Sequence, residues 1–326
     1  MYHKAVKILF GVIIGISLSL VYYAFFIKET RSVVTPIIES IARPLEKYTI
    51  DNLTLRGGVA SDIILDEAVA TTSAYTAYLF HYKSDNKKVT GLAHVPNGTG
   101  PHPVIVQFRG YVDRAIYTPG IGTRRSAEVF AQNGFISFAP DFLGYGGSDM
   151  PSENIFEERF QTYTVAMDLL ASIKAEHVGI WAHSNGGQIA LTALIALQKP
   201  IPIALWAPQS AYFPYSILYY TDDADDKGTL LRKKLAEFES VYDADAYTMR
   251  NYLDRLQSPI QIHQGGSDEA IPKRWTDDFV EALKKSDKTV TYFTYPNADH
   301  DMRPDWNTVV SRDVEFYTKQ FTTEER

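Results

Sequence analysis

Cysteine is absent from the 326 residues. That excludes a disulfide framework, a thiolate metal site and a cysteine nucleophile, and it leaves the compartment open. Positive charge is also scarce: 32 Lys and Arg against 39 Asp and Glu give a formal net charge of −7. A phosphate backbone needs a basic footprint, so no nucleic acid is expected as a partner. Internal repeats and low-complexity tracts are missing too. What is present suffices for a large core. Apolar residues make up 45% of the chain, enough for one large α/β domain or two small ones.

Charge disappears altogether from Ile8 to Ile27, ILFGVIIGISLSLVYYAFFI. At about 1.5 Å per residue, such a run spans the roughly 30 Å hydrocarbon core of a membrane. Tyr22, Tyr23, Phe25 and Phe26 stand at one end, where aromatic rings favour the interface. The bulky exit YYAFFIKE lacks the small-residue cleavage site of a signal peptide. The expectation is an uncleaved single-pass membrane anchor over residues 1–30, with the main domain on the extracytoplasmic side. Residues 31–48 read as an amphipathic connector. Thr35 can cap a helix, Pro36 suits its first position, and Ile37, Ile38, Ile41 and Leu45 recur at helical spacing before Pro44 ends it. Asn52-Leu-Thr54 and Asn97-Gly-Thr99 fit glycosylation acceptors, a triplet that also arises by chance.

From Tyr48 to Val95 short β-type runs dominate: YTIDNLTL, AYTAYLFHY and VTGLAHV, with a turn at Asp85-Asn86 and Lys87-Lys88. From Pro103 the rhythm changes. The apolar runs VIVQF, FISFA, VGIWA, IPIALWA, PIQIHQ and TVTYFT alternate with helical patterns at 158–175, 272–285 and 306–321. Unbroken apolar strands between helices imply a mainly parallel sheet covered on both faces. The interval 208–257 breaks the alternation. It is too long for a connection and reads as a small lid insertion over the C-terminal edge of the sheet. Its acidic stretch TDDADDKG puts Lys227 and Lys234 where a calcium loop needs ligands, so a solvated turn is expected and no metal.

The stretch GIWAHSNGGQIAL carries the chemistry. Ser184 follows an apolar strand and precedes a helix, which is the place of a nucleophile elbow. There, small residues two before and two after the serine avoid a clash; Ala182 and Gly186 stand at those positions. A serine hydroxyl needs a base, and the base needs an orienting acid. Asp268 lies in GGSDEAIP after one later strand and His300 in YPNADHDM after the next, so the chain order is Ser184, Asp268, His300. Each has an ordinary reading as well. Ser184 can be a turn serine, Asp268 can cap the helix after Pro272, and His300 can be a surface-loop histidine. Asp299 or Asp301 can replace Asp268 only with poor geometry. His183 is assigned a structural role and His263 a place in the core. For an oxyanion, the backbone N–H of Asn185 is one donor and that of Tyr111, in RGYVDR, the second, with the Tyr111 hydroxyl as an alternative.

With these residues in place, the segments PHPVIVQFRGY, FAPDFLGYGGSD, WAHSNGGQIAL, IHQGGSDEAIP and YPNADH resemble the α/β-hydrolase superfamily. More narrowly they resemble the catalytic domain of the prolyl oligopeptidase family of serine peptidases and its esterase relatives, over roughly residues 75–321. Arg109 departs from the histidine that many such enzymes carry. The resemblance implies an α/β-hydrolase fold with an eight-stranded-type sheet over residues 49–326. It also implies a serine hydrolase, here expected to be membrane-anchored through the N-terminal run, that cleaves a peptide, amide or ester bond of a small molecule or short peptide through an acyl-enzyme, with no cofactor. A peptidase is expected first. A carboxylesterase with the same triad, an acyltransferase and a catalytically inactive binding module are the alternatives. Family peptidases commonly carry an N-terminal β-propeller. Fewer than fifty residues separate the expected anchor from the first strands, so none fits there and a lid-covered esterase stays open.

Overall fold

The computed structural model of the chain describes residues 42–221 and 224–323. The expected anchor and the connector up to residue 41 lie outside the described residues. Among those described, no helix is long and apolar enough to cross a membrane.

The segment YTIDNLTL, expected to be extended, forms a 3-10 turn (Glu46–Tyr48) and a helix, α1 (Ile50–Arg56). Thr49 caps α1, its Oγ1 accepting from Asn52 N–H at 3.2 Å, and Ile50 and Leu53 are both buried one turn apart. A capping threonine and helical spacing outweigh β-type composition over so short a run. Both acceptor asparagines have their amides engaged. Asn52 Nδ2 donates to the Glu46 carbonyl at 2.7 Å and Asn97 Nδ2 to that of Thr72 at 2.9 Å.

The first strands are antiparallel. β1 (Ile64–Thr71) pairs with β2 (Tyr75–Ser84), which turns through Asp85 and Asn86 into β3 (Lys87–Pro96). Both turn residues have positive φ, +46° and +62°, as a tight hairpin demands. The chain then alternates: β4 (Val104–Phe108), α2 (Arg124–Gln132), β5 (Ile136–Pro140), α3 (Ile155–Ser172), β6 (Val178–His183), α4 (Asn185–Leu197) and β7 (Ile203–Trp206). After an insertion containing α5 (Thr229–Glu239) come β8 (Ile260–Gly265), α6 (Lys273–Lys285), β9 (Val290–Tyr295) and α7 (Trp306–Thr323). The sheet order is β1-β2-β3-β5-β4-β6-β7-β8-β9, parallel from β5 to β9. The described residues thus form nine strands where an eight-stranded type was expected. Every residue of the unforeseen β1 is exposed, so it has no buried face to announce it.

β4 and β8 are buried along their whole length, as strands covered on both sides must be. α3, α4 and α6 cover one face through Phe160, Leu191 and Phe279; α2 and α7 cover the other through Phe130, Tyr317 and Phe321. The 208–257 insertion has two sides. Phe213, Phe238 and Tyr247 pack against Phe160 of α3, and Leu45 is held by Tyr242 Oη at its N–H and Tyr247 Oη at its carbonyl, each 3.1 Å. Tyr212, Tyr215, Tyr219 and Tyr220 remain largely exposed, and Tyr220 Oη donates to the Ala270 carbonyl at 3.2 Å. In the acidic stretch, Asp226 caps α5 by accepting from Gly228 and Leu230 N–H, both 2.8 Å.

Asp168 of α3 ties the N-terminal residues to the core. Its buried carboxylate accepts from Arg56 Nη1 at 2.7 Å and Nη2 at 2.8 Å, Ser84 Oγ at 2.6 Å and Val59 N–H at 2.7 Å. Removing one partner of a buried pair leaves an uncompensated charge at a cost of about 3–5 kcal/mol. Arg56→Met is therefore expected to lower the unfolding free energy in urea by about 3 kcal/mol. Lys174→Ala, which removes the exposed Lys174–Asp62 pair, should stay within about 0.5 kcal/mol of the parent.

Candidate active site

β6 ends at His183, and Ser184 enters α4 with φ +54° and ψ −122°. A non-glycine residue rarely occupies this region, and its strain persists only where surrounding contacts enforce it. Three backbone bonds do so. Ser184 N–H donates to the Trp206 carbonyl at 2.9 Å, and the Ser184 carbonyl accepts from Gly187 and Gln209 N–H at 2.9 and 2.8 Å. Gly186 is required: a Cβ there would overlap the Phe108 carbonyl. Ala182 fits, fully buried, at the other small position.

The loops after β8 and β9 bring Asp268 and His300 together. His300 Nδ1 lies 3.1 and 3.0 Å from the two Asp268 carboxylate oxygens. Asp268 also accepts from Ala270 N–H at 2.9 Å, Ile271 N–H at 2.8 Å and Gln264 Nε2 at 3.1 Å. Burial pushes its pKa up, but the His300 bond and charge and the two backbone donors outweigh burial, so the carboxyl titrates below its usual range. Asp299 and Asp301 both turn to Arg303 instead. His183 does more than fill space. Its ring lies 4.6 Å from that of His300, and its Nε2–H donates to the His300 carbonyl at 3.0 Å. The residue next to the serine thus fixes the loop that carries the imidazole. His263 is a core residue, bonded at 3.0 Å to the buried Asp313.

The loop after β4 runs against the serine: a Cβ on Gly110 would stand 3.0 Å from Ser184 Cβ. Tyr111 follows, its ring 78% exposed, so the hydroxyl points away from a buried role and the backbone N–H is the candidate donor. Asn185 is the first residue of α4, where backbone N–H groups are free of helical partners. Arg109 departs from histidine with a definite purpose. Its Nη1 donates to the Gly110 carbonyl and its Nη2 to that of Asp141, each 2.9 Å, with the guanidinium 4.1 Å from the Tyr145 ring centre and 4.6 Å from that of Tyr117. A planar fork stacked on aromatic rings thereby clamps the loop.

Tyr111 and Asn185 both line a cleft of about 260 Å³. Sequence reasoning missed another of its residues, Arg159 of α3, whose Nη2 donates to Asn185 Oδ1 at 3.3 Å and to Gln188 Oε1. The available signal was a cation on a helix whose neighbouring residues Phe156 and Phe160 are apolar and buried.

Known proteins resemble this chain in family and in fold. Residues 122–324, more than half the chain, match the prolyl oligopeptidase family. The chain is 24% identical over 251 residues to the uncharacterized peptidase YtmA of Bacillus subtilis, covering 74% of this chain and 93% of that one. An acetyl xylan esterase from Paenibacillus sp. R4 superposes with a TM-score of 0.61 at 18% identity, over 82% of this chain and 92% of that one. A puromycin-hydrolyzing peptidase of Mycobacterium tuberculosis superposes with a TM-score of 0.56 at 17% identity, over 77% of this chain but 40% of that one. These structural likenesses show the α/β-hydrolase fold.

Two histidines make stability depend on pH. Burial, then the neighbouring His300, lowers His183 from 6.5 to about 4; burial, then Arg124, lowers His94 from 6.5 to about 4. Above 6.5 neither the folded nor the unfolded chain holds these protons. Below it the unfolded chain binds protons that the folded one refuses, so stability falls as pH drops toward 4. The urea midpoint is expected to fall between pH 7 and about 5, ahead of most carboxylate titration. His94→Phe should flatten that fall; an unchanged slope would assign it elsewhere.

Proposed function

The chain belongs to the prolyl oligopeptidase family and is a serine hydrolase, and on that footing we propose that it cleaves an acyl bond through a Ser184–His300–Asp268 triad. One observation carries the reading: Ser184 holds the elbow conformation, φ +54° and ψ −122°, and the adjacent His183 packs on a His300 that is bonded to Asp268. In the proposed reaction Asp268 accepts from His300 Nδ1–H and fixes the tautomer with Nε2 free as base. Nε2 takes the Ser184 proton as Oγ attacks the carbonyl. The N–H groups of Asn185 and Tyr111 hold the oxyanion. His300 then protonates the leaving group and activates the water that releases the acyl group from Ser184. No step calls for a metal or an organic cofactor.

Peptide, amide and ester bonds all fit this chemistry. The cleft favours a small ester. Its carboxylate, Glu158, is already paired with Arg114 at 2.5 Å, so among the described lining residues none is left to receive a peptide amine. The run from Ile8 to Ile27 supports single-pass anchoring, and the placement of the hydrolase on the extracytoplasmic side is part of the same proposal.

A fluorophosphonate probe is expected to label the wild-type chain and to leave Ser184→Ala unlabelled. Asp268→Asn should lower kcat on a 4-nitrophenyl ester by about 10⁴-fold. Folded wild-type protein that neither labels nor turns over any ester or peptide amide would end the catalytic reading. For the anchor, alkaline carbonate should leave the full chain in the membrane pellet, and deletion of residues 8–27 should release it; a full chain that washes off would refute anchoring.

A further inference from the structure

The charges around the cleft do not cancel. Arg109 is committed to two carbonyls and to the rings that stack on it. Glu158 is committed to Arg114. Arg159 remains. Its Nη2 reaches only the neutral oxygens of Asn185 and Gln188, and its Nε is buried without an acceptor. Among the described residues no carboxylate lies within ion-pairing distance of it. A half-buried cation without a counter-charge is costly, and here it persists in a protein whose net charge is −7. The position is also telling. Arg159 grips the side chain of Asn185, whose N–H is the proposed oxyanion donor, so the guanidinium stands one residue from the reacting carbonyl.

We propose that Arg159 makes this cleft a site for an anionic substrate: an ester or amide that carries a carboxylate within a few bonds of the scissile carbonyl. The proposal rests on the triad reading given above. With Nη2 held by Asn185 and Gln188 and Nε buried, Arg159 Nη1 makes no hydrogen bond among the described residues, so its N–H donors are free for a substrate carboxylate. The substrate carboxylate supplies the counter-charge that Arg159 lacks, and the dipole of α4 adds partial positive charge at the same end. A cleft of about 260 Å³ takes a short acid-bearing substituent and not a polymer chain.

Matched ester pairs test this on the full chain. Mono-4-nitrophenyl adipate is compared with its methyl ester, which places the charge on the acyl half. 3-Carboxy-4-nitrophenyl acetate is compared with 4-nitrophenyl acetate, which places it on the leaving group. In one pair, kcat/KM should favour the anion by about tenfold or more, and the preference should shrink with added salt. Arg159→Gln should bring the ratio to about one and Arg159→Lys should keep part of it. Arg159→Glu should invert it, so that a 6-aminohexanoate ester outruns the adipate. Each ratio is internal to one protein, so a general loss of activity cancels. A wild-type ratio at or below one in both pairs overturns the proposal, as does a preference that survives Arg159→Gln. Should Arg159→Gln fail to fold, the wild-type ratio, its salt dependence and Arg159→Lys decide. Fluorophosphonate labelling separates the two levels: labelling without charge preference removes the Arg159 assignment alone, and absence of both labelling and turnover removes the triad.

Discussion

The candidate site depends on the approach of the first turn of α4 to the end of β4. Phe108 pairs with Ala182 in the parallel ladder between β4 and β6, so the two strands deliver their next residues to one point. Gly186 leaves just enough room for the Phe108 carbonyl, and Gly110 for the Ser184 side chain. Ser184 and the loop facing it therefore cannot be placed independently. The strain at Ser184 is held by ladder bonds on one side and by this contact on the other. Electrostatic catalysis depends on donors that are already in position, and a shared steric contact between two backbone segments supplies that without moving parts.

Around this contact the polar groups are arranged to hold backbone, not merely side chains. Arg109 grips the Gly110 and Asp141 carbonyls, and His183 grips that of His300. Behind the site, the buried Asp313 accepts from His263, Gln261 and Trp206 and so ties β7 and β8 to α7. A fully satisfied buried network of this kind fixes the ends of strands, and the loops that leave those ends inherit the rigidity.

How far this was legible follows from what each residue signals locally. The parallel strands announce themselves as continuous apolar runs because both faces are covered. β1 does not, because none of its residues is buried. Residues 48–55 misled for the opposite reason: β-type composition concealed a threonine cap and a one-turn apolar spacing. α2 went unseen because its buried face is made chiefly of Ala127, Phe130 and Ala131, a narrow stripe among charged residues. At the site, Ser184, Asp268 and His300 stand out because their types and order are rare in combination. Arg109 and Arg159 do not, because an arginine's role is set by which carbonyls or amides surround its fork, and those come from segments distant in sequence.

The 208–257 insertion divides packed interior from exposed surface within one stretch of chain. Its inner residues, Phe213, Phe238 and Tyr247, belong to the same packed interior as Phe160 and hold Leu45 in place. Its outer tyrosines at 212, 215, 219 and 220 face solvent near the strand ends. Substitutions on the outer side can accumulate with little cost to folding, whereas the inner side tolerates few. The insertion is thus tolerant of change on one side only: the tyrosine side can vary while the aromatic interior cannot.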